Sequence, residues 1–355
     1  MTGAVHILSQ YIWPDSAPTA IYAEQLADRL QVQGCDVRLV GGQGGYRALE
    51  RSQPGAAVHH LPHYRGRRGN LPATYAEYHS VTRAFRRYIN EFVARGDTVI
   101  VTSAPPNTVG LANAIQRRGA RSIHWLQDYY PELIRGLHEY PHCARRVLSA
   151  HWDRQLSRWD HVVKIGANLG GPEHNSVVIR NWPTLDMRST VIPEPRTALY
   201  SGNFGYGHDV QLFVNACEKL RDEGYTLTIR ADGRGVRHLP AWLNVQPLHK
   251  DPQKLREDLL RHETHIVAAH PKITRAVFPS KIWNSIAAGR KLVCTGFDGE
   301  MRQELEAARN APFDQHLQQW SQLVLGAETH AESASRERFA EPGCSLAELH
   351  ALATR

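Results

Sequence analysis

The chain has 355 residues, 42% of them hydrophobic, and a formal net charge of +7. That length suits two domains rather than one, and no uninterrupted apolar run reaches the length that a membrane span requires. The five cysteines, at 35, 143, 217, 294 and 344, form no C-x-x-C pair and read as reduced thiols of a cytoplasmic protein rather than as a disulfide framework. The positive charge admits nucleic acid, an anionic membrane surface or phosphorylated substrates, and does not choose among them.

Met1-Thr2-Gly3-Ala4 leads straight into an apolar strand, Val5–Ser9, so no signal peptide is expected. Short β-branched strands are then predicted at Val37–Val40, Val58–Leu61, Val99–Thr102, Ser122–Leu126, Val162–Ile165 and Val177–Ile179. Helices are predicted between them at Thr19–Val32, Ser80–Ala94, Asn107–Arg118 and Arg145–Arg158. A proline-marked stretch from Asn181 to Pro195 reads as a linker. The pattern then restarts, with strands at Ala198–Ser201, Thr226–Arg230, Val245–Pro247, Ile266–Ala268 and Leu292–Thr295. Its helices are Val210–Arg221, Pro252–Arg261, Ser280–Ala288 and Glu300–Arg309, and from Gly326 the chain is polar with a helical pattern. Alternation of this kind implies an α/β protein of two Rossmann-like βαβ domains facing across a cleft, with boundaries expected at 1–190 and 191–355.

Ligands of open α/β sheets bind at the carboxyl ends of strands, so the loops there are the candidates. The first, Gln10 to Thr19, carries Asp15 but no G-x-G-x-x-G, which argues against a dinucleotide cofactor. Gln127-Asp128-Tyr129-Tyr130-Pro131-Glu132 offers a carboxylate beside aromatics. Gly202, Gly205 and Gly207 surround Asn203 and Phe204 in a glycine-rich turn before Asp209, a helix cap. Such turns bring backbone N–H groups close to phosphate, and they also serve as ordinary strand-to-helix turns. The loops placed in the second domain continue with Ala231–Gly235 and His270–Lys281, including Lys272 and Arg275. Pro279 and Ser280 open the helix, with Ser280 as its cap, and Lys281 puts a cation at the helix start. A helix start disfavours a cation unless an anion docks there; a solvated lysine is the alternative.

Arginines 65, 67, 68, 83, 86, 87 and 95 alternate with Tyr64, Tyr75, Tyr78, Phe85 and Tyr88, while Val81, Phe85, Tyr88, Ile89 and Phe92 share one helical face. This is a solvated basic face or a seat on an anionic membrane. No recognition motif for nucleic acid accompanies it, so no nucleic-acid partner is expected. His60 with His63, and His262 with His265, lack a third ligand, so no metal site is assigned.

Five segments, in order, carry a family resemblance: Ile7 to Pro14, Gln127 to Glu132, Val178 to Trp182, Leu199 to Gly205, and Pro279-Ser280-Lys281 to Gly289. On these the chain resembles GT-B-fold glycosyltransferases of the bacterial cell-surface polysaccharide type, family-four-like and retaining. The resemblance implies a hexosyl-type transfer from a nucleoside-diphosphate sugar held mainly by the second domain. It implies no metal and no cofactor beyond that co-substrate. The acceptor implied is a glycan, a lipid-linked molecule or a small molecule, and a cytoplasmic enzyme could sit peripherally on the inner membrane. The donor side is expected at Gly202, Asn203, Phe204, Gly205, Arg275, Pro279, Ser280, Lys281 and Asn284, and the acceptor side at Asp15, Asp128 and Tyr129. Lys281 and Asp128 are the catalytic candidates. Two departures stand out: Asn284 and Ala276 occupy positions where many relatives have glutamate. They keep a catalytically inactive GT-B partner protein open as an alternative; a nucleotide-sugar epimerase, which uses a similar two-domain scaffold and the same donor, is another.

Overall fold

A computed structural model describes residues 3–42, 53–66, 70–137, 142–205 and 207–325. Arg67, Arg68, Tyr206, Cys344 and the polar tail from Gly326 lie outside these residues. The side chain of Cys143 is also outside the description, and Cys35, Cys217 and Cys294 form no disulfide among the described residues.

The first sheet contains seven parallel strands: β1 (Val5–Ser9), β2 (Val37–Gly42), β3 (Ala57–Leu61), β4 (Thr98–Thr102), β5 (Arg121–Leu126), β6 (His161–Lys164) and β7 (Ser176–Val178), in the order β3-β2-β1-β4-β5-β6-β7. Every residue of β1 and β4 is buried, as expected of central strands covered on both faces. The crossovers carry α1 (Pro18–Val32), α2 (Leu71–Phe92), α3 (Ala112–Gln116), α4 (Tyr130–Leu137) and α5 (His142–Leu156). Helix α1 buries Ala20, Tyr22, Ala23, Leu26, Ala27 and Leu30, an apolar stripe at helical spacing.

Several boundaries depart from the sequence reading. Helix α2 starts at Leu71 rather than Ser80, because Asn70 caps it by accepting from Ala73 N–H at 3.1 Å and Pro72 fits its first turn. The helix expected from Asn107 is instead a 3-10 turn over Pro106–Leu111 followed by the short α3; Gly110 in its interior weakens the α-helical ladder there. The chain is helical from Tyr130, where a loop was expected.

The second sheet has four parallel strands, β8 (Glu194–Asn203), β9 (Thr226–Asp232), β10 (His262–Ala268) and β11 (Lys291–Thr295), in the order β11-β10-β8-β9. Its helices are α6 (Val210–Asp222), α7 (Pro252–Arg261) and α8 (Lys281–Ala287). Asp209 caps α6, accepting from Leu212 N–H at 3.0 Å. Val245–Pro247 is not a strand: a single bridge, Arg230 to Gln246, is all that forms, between the left-handed Asn244 and Pro247, which has no N–H to pair. Tyr200, Phe204, Phe213, Cys217, Leu220 and Ile229 lie in this unit's core.

The chain ends its described part with α9 (Gly299–Asn310) and α10 (Phe313–Leu325). Two compact units result. One comprises Met1–Thr184, Lys272–Ser280 and Glu300–Leu325; the other comprises Leu185–Pro271 and Lys281–Gly299. Residues 272–280 and 300–325 thus pack with the first sheet, whereas the sequence pattern assigns them to the second domain. Aromatic packing is one reason. Trp320 of α10 lies 4.7 Å, centroid to centroid, from Trp125 of β5, which stacks on Trp182 at 6.0 Å. A buried ion pair is another. Glu304 of α9 takes Arg180 Nε at 2.5 Å and the Ala167 N–H at 3.1 Å.

Candidate active site

In the first unit the loop leaving β5 is held from two sides. Ser103 Oγ accepts from the N–H groups of Gln127 and Asp128, each at 3.1 Å. Segment 274–277 adds a strand-like edge: Tyr129 N–H donates to Ala276 O at 2.7 Å, Asp128 bridges Val277, and Gly170 N–H donates to Arg275 O at 3.0 Å. Asn168 ties the same segment down through the carbonyls of Thr274 and Val277.

The Asp128 carboxylate, half-buried, makes no hydrogen bond or ion pair to another described residue. Burial pushes its pKa up to about 6. The neighbouring hydroxyls of Tyr78 and Tyr130 are raised as well, first by burial and then by charges that include Asp128. A carboxyl group raised in this way can give or take a proton near neutrality.

Other first-unit candidates serve the frame more visibly than the surface. Asp15 is only 1% exposed. Tyr129 is buried and its hydroxyl donates to Asp153 at 2.7 Å. Arg275 is exposed and 3.6 Å from Glu300, in the first unit with Pro279 and Ser280. Glu77, which the sequence did not single out, accepts from Gln10 Nε2 at 3.1 Å and from Gly66 N–H at 2.9 Å. It fastens α2 to two loops at the same sheet end.

In the second unit, the glycine turn after β8 and the start of α8 meet. Lys281 Nζ lies 2.8 Å from Tyr200 OH, 3.4 Å from Asn203 O and 4.2 Å from the Tyr200 ring centroid. The lysine passes directly over Gly202, whose φ is 148° and where a Cβ would overlap Lys281 Cε. The position therefore demands glycine for both backbone and space. Lys281 forms no ion pair among the described residues. Burial alone lowers its pKa to about 7. It lines a small cavity of about 70 Å³ with Ser201, His265, Asn284 and Ser285.

The glycine turn itself is more closed than its sequence suggests. Phe204 N–H donates to Asp232 O at 2.6 Å, and Gly205 N–H to His208 Nδ1 at 3.2 Å. Phe204 is fully buried against His208 and Phe213. Asn203 is exposed. Asn284 Oδ1 accepts from Leu185 N–H at 3.2 Å. At seven residues, α8 has a weak dipole, so the cationic character of this edge rests on the Lys281 side chain. His262 and His265 each have both ring nitrogens within hydrogen-bonding distance of an internal partner: Asp258 O and Thr228 Oγ1 for the first, Ser285 Oγ and Leu259 O for the second. Tyr200 and His208 escaped the sequence reading. Tyr200 looks like any core residue of a strand, and no local pattern marks His208.

Residues 19–181 match the glycosyl transferase 4-like domain. No curated protein matches the chain at the level of sequence. Solved structures do. A sucrose-phosphate synthase from Thermosynechococcus elongatus superposes with a TM-score of 0.55 at 12% identity, over 91% of this chain and 94% of that one. A trehalose-6-phosphate protein from E. coli, bound with UDP-2-fluoro glucose, gives 0.53 at 12% identity, over 91% and 95%. A glycosyltransferase from Rickettsia africae gives 0.52 at 12% identity, over 92% and 100%. Identities this low speak for the fold, and that fold is GT-B: two parallel-sheet units, as the five sequence segments implied.

Proposed function

We propose, from a chain whose residues 19–181 match the glycosyl transferase 4-like domain and whose fold is GT-B, that it moves a hexosyl-type sugar from a nucleoside-diphosphate donor to a hydroxyl. The acceptor is a glycan, a lipid-linked molecule or a small molecule, and configuration is retained. The observation that best supports this is Lys281: a desolvated lysine with no carboxylate partner, at the carboxyl edge of a parallel sheet. A buried charge without a partner is unfavourable unless a ligand supplies one, and a diphosphate would.

Glycosyl transfer passes through an oxocarbenium-like transition state while negative charge grows on the departing diphosphate. Lys281 is the donor aimed at that charge. Gly202 gives it room, Asn203 and Asn284 offer polar contacts nearby, and Phe204 and Gly205 hold the turn. Asp128 orients the acceptor hydroxyl, with the departing phosphate taking the proton in a retaining course. Arg275, Pro279 and Ser280 belong to the segment that leads into α8, and Asp15 and Tyr129 support the acceptor side from within. The chain is assigned to the cytoplasm. The exposed Arg83, Arg86, Arg87 and Tyr75 of α2 support a peripheral seat on anionic lipid.

A thermal-shift screen with UDP, GDP, ADP, CMP and dTDP tests the donor side. One nucleotide should raise the melting point of the protein and fail to do so in Lys281→Ala. A second reading, an inactive partner protein, draws on Asn284, whose amide oxygen already serves Leu185. Silence with all five nucleotides would favour it.

A further inference from the structure

Lys281 is held by neutral groups. Tyr200, on β8, accepts from its Nζ at 2.8 Å and donates to Asn203 O at 3.1 Å. His208, in the turn before α6, places Nε2 3.2 Å from the Tyr200 hydroxyl, while its Nδ1 lies 3.2 Å from the Gly205 nitrogen. Nδ1 also lies 3.4 Å from Gly205 O, but the shorter contact is the Gly205 N–H, and with Nδ1 accepting from it the imidazole proton sits on Nε2, directed at the tyrosine oxygen. One chain of hydrogen bonds therefore runs from the glycine turn through imidazole and phenol to the ammonium. Burial and the nearby Lys281 charge push His208 down to about 3, which keeps that tautomer neutral. The cavity that Lys281 lines is also lined by His265 of β10 and Ser285 of α8, which bond each other at 2.7 Å; Ser285 Oγ also donates to the Lys281 carbonyl at 3.2 Å, and neither residue bonds the ammonium.

The choice of partners has a physical consequence. A carboxylate would fix Lys281 equally well, but it would neutralise the charge and compete with any incoming anion. A phenol and its π face hold the ammonium in place and leave its charge uncompensated.

We propose that Tyr200 and His208 are positioning residues: His208 turns the Tyr200 hydroxyl so that it accepts from Lys281, and Tyr200 seats the ammonium over Gly202, preorganised for a diphosphate. This rests on the reading of Lys281 as the donor-phosphate contact. Tyr200 and His208 themselves act through the lysine.

The test uses full-length protein labelled at lysine 13Cε, with the Lys281 resonance identified by its loss in Lys281→Ala, and inorganic pyrophosphate as the anion probe. Tyr200→Phe keeps the ring and removes the hydroxyl. It should lower the Lys281 titration midpoint and weaken pyrophosphate binding at pH 7.5 by roughly tenfold, the scale of a hydrogen bond to a charged group. The loss should shrink at pH 6, where the lysine is protonated regardless. His208→Gln should move both readouts the same way, and should add nothing in a Tyr200→Phe background. Unchanged midpoint and affinity in Tyr200→Phe, with binding lost in Lys281→Ala, would overturn the proposal and leave the donor reading standing. Full pyrophosphate binding in Lys281→Ala would remove the donor reading, while the midpoints still report whether Tyr200 seats the lysine. Should Tyr200→Phe not fold, an unmoved midpoint in His208→Gln overturns the proposal.

Discussion

Asp128 in the first unit and Lys281 in the second each lie without an ion pair at the carboxyl end of their sheet, and the two are opposite in kind. In the first unit it is an acid, Asp128, which burial raises to about 6; in the second it is a base, Lys281, which burial lowers to about 7. Some other charges are paired, as Arg180 is with Glu304 and Arg230 with Asp258, while the buried Lys164 donates to the Gly171 carbonyl at 3.3 Å. The contrast separates two uses of charge. Paired charges fasten elements together, whereas unpaired ones lower the stability of the fold and remain available to a ligand. The units also differ in how they are closed. The first draws on later chain, α9 and α10, while the second core is built from β8 to β11 and their helices.

The largest effect is expected where that closure is removed. Trp320→Ala should destabilise by about 3–5 kcal/mol, the usual loss for a buried tryptophan. Hydrogen exchange should lose protection in β1, β4 and β5 and keep it in β8 and β10. Equal loss in both sheets would erase the distinction between the units.

Lys281→Ala should slow transfer about a hundredfold or more, since one such donor is commonly worth ~2.7–4 kcal/mol of barrier. Near-normal turnover would take the lysine out of the site.

Asp128→Asn should slow transfer by roughly tenfold, the scale of one hydrogen bond from the acceptor hydroxyl to a carboxylate, and it should also stabilise the fold at neutral pH. The sign follows from the raised pKa. Below the ordinary carboxylate value near 3.8 the group is protonated in both states and contributes no penalty. As pH rises from there to about 6, the unfolded chain ionises first and stability falls; above 6 the loss is complete. The melting point of Asp128→Asn should therefore exceed that of the parent at pH 7.5 and match it near pH 3.5. A lower melting point at pH 7.5 would mean the carboxylate has a structural partner. The smallest effect expected is from EDTA: transfer should be unchanged, and its loss on chelation would contradict metal-independent chemistry.

Much of this comparison could be read in advance. Asp128 and Lys281 stood out because each follows a predicted strand or opens a predicted helix in a loop rich in turn residues. Their environments were not legible. Nothing near Lys281 in sequence names Tyr200, eighty-one residues away, or explains why Gly202 must be glycine. The glycine turn misled in a different way. Its composition suggested free N–H groups, but those of Phe204 and Gly205 are taken by Asp232 and His208.

Arg275 shows the same limit on a larger scale. Its segment follows β10 in the chain, so the pattern assigns it to the second domain, yet its carbonyl accepts from Gly170 and its neighbour Ala276 from Tyr129. Hydrogen bonds of this kind depend on which backbone edge is left open in space, and local residue choice carries no record of that.

By itself the sequence determined the α/β alternation, most strand positions, the cap at Asp209, and two loops worth suspecting. These are local properties: side-chain period, β-branching, and the hydroxyl or carboxylate that satisfies a helix end. Only the tertiary structure decided that 272–280 and 300–325 pack with the first sheet. It likewise decided that the glycine turn is internally bonded, and that Asp128 and Lys281 are desolvated without an ion pair. Desolvation and pairing are set by what surrounds a group in three dimensions, and the residues responsible here are separated by tens to more than a hundred positions along the chain.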